Sequence, residues 1–169
     1  MWPFISKKRQ RKELLRAFAS HVSPEILESL TADRPAGPTV LTRGEIFYVV
    51  CQVRDDVLDD VAPLLSRAAT IGQEHGSTID FMPSAVMILF GVPRMIDPDT
   101  MTIEHCAAVA AALLQDLGSH ARVAYGRAEG LHGAIGSPQR QHYGTVIPNF
   151  NRILERLCTL DYGQSVQIE

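Results

Sequence analysis

The sequence predicts an α+β domain with a ferredoxin-like split βαββαβ core, preceded by N-terminal helices. Three observations carry this. From Glu45 onward the apolar periodicity changes in the order strand, helix, strand, strand, helix, strand. The two middle strands share one stretch, GSTIDFMPSAVMILFGVP from Gly76 to Pro93, where two short apolar runs meet at a polar corner, Met82-Pro83-Ser84. The right-handedness of parallel crossovers then places both helices on one face of the sheet, leaving the other for a third helix, a ligand or another subunit.

The 169 residues, 46% hydrophobic and 21% charged, suffice for one core. They divide into a basic N-terminal segment with helices and a linker, residues 1–43, and a domain over 44–169. Residues 1–20 carry Lys7, Lys8, Arg9, Arg11, Lys12 and Arg16 against Glu13, a balance of +5 that leaves −8 for the rest. A surface of that sign argues against nucleic-acid binding. The segment 1–12, MWPFISKKRQRK, suits either a solvated terminus or a weak contact with an anionic membrane surface, at about 1 kcal/mol per cation near it. No apolar run reaches the roughly 18–20 residues of a bilayer span, and the order of charge and apolarity at the start is the reverse of a secretory signal. Cys51, Cys106 and Cys158 are odd in number, widely spaced and set among apolar residues. That pattern predicts buried thiols in a reducing compartment, so the expected location is the cytoplasm.

In chain order, Leu14, Leu15, Phe18 and Val22 share one helical face, and a second short helix starts with Ser23 as N-cap and Pro24 in its first turn. Ala32 to Arg43, with Pro35, Gly37 and Pro38, reads as linker. Glu45 to Arg54, EIFYVVCQVR, is β-branched and aromatic almost throughout and predicts a strand buried on both faces. Asp55 to His75 is helical, with Asp59 or Asp60 as cap so that Pro63 falls in the tolerated first turn, and Gly76 as its stop. The hairpin follows, with Ile79, Phe81, Ala85, Met87 and Leu89 expected to face one core. Met101 to Leu117 is a second long helix with an apolar face of Ala107, Ala108, Ala111 and Leu114. Arg122–Tyr125 and Gly130–Ile135 read as separate strands, Thr145–Leu160 as a third helix, and Val166–Ile168 as a closing strand.

The pieces FASHVSPEILESL, HGSTIDFMPSAVMILFGVP and GAIGSPQRQHYGTVIPNFN, in that order and spacing, resemble a class III adenylate/guanylate (nucleotidyl) cyclase homology domain from about Leu14 to the C-terminus. The resemblance implies the cyclase-type version of the predicted core. It also implies a chemistry in which two carboxylates hold two divalent metals that activate a ribose hydroxyl and neutralise a triphosphate. Carried over residue by residue, the metal positions fall on Gln52 and Ser84, and neither side chain bears the charge that hard cations require. Asp55 and Asp56 lie close in sequence, but three residues of extended chain are roughly 10 Å. The purine-reading positions fall on Asp80 and Gly144. Asn151 matches the ribose-orienting asparagine. The transition-state arginine falls on Glu155, with Arg156 one residue later.

The resemblance and these losses together predict a catalytically silent cyclase-like domain that acts as a dimerising or regulatory module in cyclic-nucleotide-type signalling. Its expected partner is a second copy or another cyclase-like domain, and no cofactor is expected. The alternative is an active adenylate or guanylate cyclase, through unusual ligands or as half of a heterodimer, using Mg or Mn with ATP or GTP to form a 3′,5′-cyclic nucleotide and pyrophosphate. A third possibility is another ligand in the same cleft, with His132, His142 and Asp80 converging on it. Arg122, Arg127 and Arg140 read either as a phosphate-binding group or as a solvated strand face.

Overall fold

The computed structural model of the chain describes residues 42–56, 58–92, 102–137 and 140–168, with backbone alone for 134–137 and 140–143. The expected N-terminal helices, most of the linker, and the loop through Asp97 and Pro98 lie outside the described residues.

Strand β1, Thr42–Val53, carries the β-branched and aromatic run, and Ile46 through Cys51 are all buried. Both faces and both edges of β1 are covered, which suits residues whose stiff side chains pack well on a pleated surface. The strand starts inside the expected linker, because Thr42 to Glu45 still pair with His132 to Glu129 of a later strand.

Helix α1, Leu58–Glu74, buries Leu64, Ala68, Ala69 and Gly72. Gly72 marks a close approach to the sheet: a Cβ there would meet Ile79 Cδ1 at 2.8 Å. Asp59 and Asp60 sit in the first turn rather than capping it, and Pro63 is the sixth helical residue rather than in the first turn. The expected cap would have forfeited the helical turn beginning at Leu58. Gly76, at φ 76°, ends the helix as predicted and donates its N–H to Gln73 O.

Strands β2, Thr78–Met82, and β3, Ala85–Phe90, form the hairpin, with Pro83 and Ser84 alone at the tip. The buried Thr78 hydroxyl donates to Val92 O at 2.6 Å and closes its open end. The two-residue tip pairs Met82 with Ala85, so odd residues of β2 lie opposite even residues of β3. Ile79 therefore shares a core with Val86, Ile88 and Phe90, whereas Ala85, Met87 and Leu89 belong to the core on the other face. The single core expected for all of them is corrected, and Phe81 is exposed.

Helix α2, Ile103–Leu117, is capped by Thr102, whose side chain accepts from His105 N–H, and ends at Gly118 with φ 54°. It buries Cys106, Val109, Ala110, Leu113 and Leu117, one position round from the alanine face read from the sequence. The larger side chains win the core because each removes more apolar area from water, roughly 1.5–3 kcal/mol for a fully buried Val or Leu. Arg67 of α1 joins the two helices, with Nε 2.9 Å from Asp116 Oδ2 and Nη2 2.8 Å from Asp116 O.

Strand β4, Ala121–Ser137, is one continuous strand where two had been expected. Gly126 and Gly130 are close-approach residues within it, not turns: a Cβ on Gly126 would lie 2.6 Å from Tyr48 Oη and 2.7 Å from Ile168 O. Strand β5, Arg140–Val146, takes the start of the expected third helix, which begins later as α3, Phe150–Cys158. Strand β6, Ser165–Ile168, closes the sheet.

The strand order is β2-β3-β1-β4-β5, antiparallel throughout, with β6 added parallel to β4. Strand β4 carries β1 along one edge and, at successive levels of the other, β6 on Val123–Gly126 and β5 on Leu131–Ser137. Helices α1 and α2 cover one face as the handedness rule requires, and α3 lies on the other with Ile153 and Leu157 buried. Among the described residues no helix is long and apolar enough to cross a membrane.

Candidate functional site

Of the polar side chains singled out in the sequence, Gln52 and Arg122 meet on the α3 face of the sheet. Gln52, near the end of β1, pairs with Ala85 on β3 and with Arg122 on β4, and Val53 N–H donates to Ser84 O at 2.9 Å. The central position of β1 and the tight hairpin thus bring the positions of Gln52 and Ser84 together. Neither side chain supplies a carboxylate, and Gln52 is already engaged: its Oε1 accepts from Arg122 Nε–H at 3.0 Å. A hydrogen bond to a charged group is worth about 1.5–3 kcal/mol when partly buried.

Arg122 alternates with Ala121 and Val123, which face the α1–α2 core, so it faces the opposite side. Its Nη1 donates to Cys158 O at 3.1 Å and Leu160 O at 3.0 Å, carbonyls at the end of α3, where the helix dipole favours a cation. Its guanidinium lies 4.9 Å from the Tyr162 ring centroid, and that of Arg54 lies 4.8 Å from the same ring. Arg54 also faces Asp56, at 3.9 Å. Asp55 and Asp56 are exposed beyond the end of β1. A divalent metal does not fit here: the acceptor it would need from Gln52 is taken by a cation, and among the described residues no three His, Cys, Asp or Glu gather.

Next to this place, between α3 and the β4–β6 edge, is an open cleft of about 640 Å³ with Tyr48, Arg127, Asn149, Arg152, Glu155 and Arg156 in its lining. Tyr48 is 2% exposed, and burial, with a smaller contribution from Cys106, pushes its hydroxyl up to about 12, so it stays un-ionised at neutral pH. Asn149 enters α3 at φ 57°, a left-handed conformation that asparagine tolerates better than most residues. Arg127 is held by Glu45 at 3.3 Å. Glu155 and Arg156 both reach the cleft, as does Arg152 one turn earlier, whereas Asn151 is exposed on α3 outside its lining.

The remaining candidates are spread across the sheet. Asp80 is exposed on β2 opposite Met87, at the level of Val50 and Ala124, while Gly144 on β5 pairs with Gly133. They sit on opposite edges and nine residues apart along β4, roughly 30 Å at 3.3 Å per residue, so one chain does not bring them together. His132 pairs with Thr42, eight residues along β1 from the level of Asp80, so the possible convergence of His132, His142 and Asp80 does not occur, on backbone placement alone. The side chains of Arg140 and His142 lie outside the described residues. Arg122 is not a solvated strand residue, which corrects that reading. Arg54, Arg152 and Tyr162 were not singled out by sequence reasoning, and no local signal marks them, since their partners come from distant elements.

No protein-family model and no curated protein sequence matches the chain. Solved structures do. The crystal structure of the guanylyl cyclase Cya2 superposes with a TM-score of 0.53 at 20% identity, over 75% of this chain and 76% of that one. The adenylyl cyclase CyaB from P. aeruginosa gives 0.64 at 14% identity, over 76% and 78%. The dimeric guanylyl cyclase domain of the RhoGC fusion protein from the aquatic fungus Blastocladiella emersonii gives 0.59 at 12% identity, over 78% and 81%.

Proposed function

We propose that this chain, which has the fold of the class III adenylyl and guanylyl cyclase domains, is a catalytically silent member of that architecture, serving as a dimerising or regulatory module in cyclic-nucleotide-type signalling. The observation that carries the reading is the engagement of Gln52 by Arg122: at the level of the hairpin tip, where the fold's metal carboxylates are expected, an amide and a guanidinium stand instead. Phosphoryl-group chemistry of the cyclase kind relies on divalent cations to activate the attacking oxygen and spread the triphosphate charge. Asp80 adds a like charge where a phosphate-bearing purine ligand would be read, and Gly144 offers no side chain. The core positions of the fold are kept apolar, which supports retention as a folded partner. The dimer described for the fungal neighbour supports a dimer here, and the cytoplasm is the compartment proposed for it.

The test is incubation of purified chain with ATP or GTP and Mn²⁺, reading cyclic nucleotide, beside sedimentation over a range of protein concentration. The expected result is no product and a concentration-dependent mass. Product whose rate follows the protein through purification would overturn the silent reading in favour of an active cyclase.

A further inference from the structure

We infer that Arg122 is the resident cation of this site, closing the Gln52 and Ser84 position to metal, so that restoring carboxylates there does not by itself restore metal binding. The inference deepens the silent-domain reading and rests on it. Two elements and the Tyr162 ring beyond α3 hold the guanidinium. Gln52 of β1 takes its Nε–H at 3.0 Å, the end of α3 takes Nη1 through Cys158 O and Leu160 O at 3.1 and 3.0 Å, and the Cys158 sulfur takes Nη2 at 3.6 Å. Four of the five N–H donors are thereby used, and the guanidinium also lies over Tyr162. A side chain fixed from three directions does not swing aside to admit a second cation, and its own charge repels one.

Gln52 suits this arrangement as a neutral acceptor that needs no compensating charge. A carboxylate placed at position 52 would meet the Arg122 Nε–H first, forming an ion pair inside the space a metal needs. Arg54, whose guanidinium lies over the same tyrosine ring, brings a second cation to this place, offset in part by Asp56 at 3.9 Å. The positive charge at this position is thus supplied by a protein side chain, and no coordination site is left open.

The test uses the full chain and Mn²⁺ as probe, titrated by electron paramagnetic resonance. Gln52→Asp with Ser84→Asp is expected to bind no Mn²⁺ below millimolar concentration. Adding Arg122→Gln to that pair should tighten binding at least tenfold, and adding Arg122→Lys instead should not. A double variant that binds as tightly as the triple, or an Arg122→Gln triple that is folded and binds no better, overturns the inference. If the triple does not fold, the double variant alone decides: an ion pair to Arg122 should make its Tm fall with added salt more steeply than that of the native chain, and equal salt dependence sinks the inference. These outcomes are separate from the silent reading, which is decided by product formation in the native chain.

Discussion

Gly126 illustrates how one missing methyl group sets a local geometry. Its Cα lies against the Tyr48 ring and the Ile168 carbonyl, so Gly126→Ala must push back either a buried aromatic or the backbone of β6. Overpacking of this kind costs about 1–3 kcal/mol, and the backbone contact places this case at the upper end. Urea unfolding should show that loss, with amides of Ser165–Ile168 exchanging faster. Gly76→Ala meets no atom within 4 Å and costs only the left-handed backbone, about 1–2 kcal/mol, and should leave β6 amides untouched. A second residue-scale effect concerns His105. Its ring lies edge-on to Phe90 at 4.9 Å and to His75 at 5.7 Å, and its Nε2 is buried without a hydrogen-bond partner. Burial first, and the neighbouring His75 second, hold its pKa below the usual 6.5; burial does the same to His132. A base whose folded pKa is depressed binds fewer protons folded than unfolded, so the stability present above about 6.5 is lost as pH falls through the folded values. Thermal melts between pH 7.5 and 5 should show Tm declining on the acid side, with a shallower decline in His105→Gln. An unchanged slope in that variant would assign the decline to other groups.

Helix α1 carries a testable irregularity. Pro63 as the sixth helical residue cannot donate the N–H that would reach Asp59 O, and the residue is exposed, so no packing compensates. Pro63→Ala should therefore stabilise the fold by about 1–2 kcal/mol, the helix-interior difference of about 3 kcal/mol reduced by the unfolded-chain entropy that proline removes. A shift of the urea midpoint to lower concentration would show that the restriction Pro63 places on the unfolded chain outweighs the hydrogen bond it forgoes. Elements were legible where one physical signal dominated. The β-branched run of β1, the presence of α1 and α2, and the hairpin at Pro83-Ser84 could all be read directly, while the buried face of α2 was read one position away. What failed was decided across distance. Gly126 and Gly130 look like punctuation between two strands, yet they answer to Tyr48, Ile46 and the Val146 carbonyl, none adjacent in sequence. The faces of the hairpin depend on a pairing offset of one residue that hydrophobicity does not encode when both faces are buried. The same limit applies to the site: the nearness of Gln52 and Ser84 follows from the hairpin, but the partners of Arg122 lie 70, 36 and 38 residues away.

For the molecule as a whole, burial separates the three cysteines. Cys51 and Cys106 are fully buried, and burial pushes each thiol up to about 12, whereas Cys158 is exposed at the end of α3. The expectation of three buried thiols is corrected: Cys158 stands at the exposed last turn of α3, where its sulfur meets the Arg122 guanidinium rather than a core. Since the thiolate is the reactive form, a disulfide reagent should modify one thiol in the native chain and three after denaturation. Rapid modification of two or more in the native chain would mean that the sheet opens locally. The long seam between β1 and β4 bears finally on how the chain emerges from the ribosome. Every partner on that seam is 68 to 90 residues downstream of its mate, from Val53 with Ala121 to Thr42 with His132. At a synthesis rate of roughly 5–20 residues per second, β1 waits several seconds with one edge bare and its Ile46–Cys51 run uncovered. A nascent chain stalled before Ala121 should accordingly engage a chaperone that binds extended apolar segments, and should release it only once β4 has been translated.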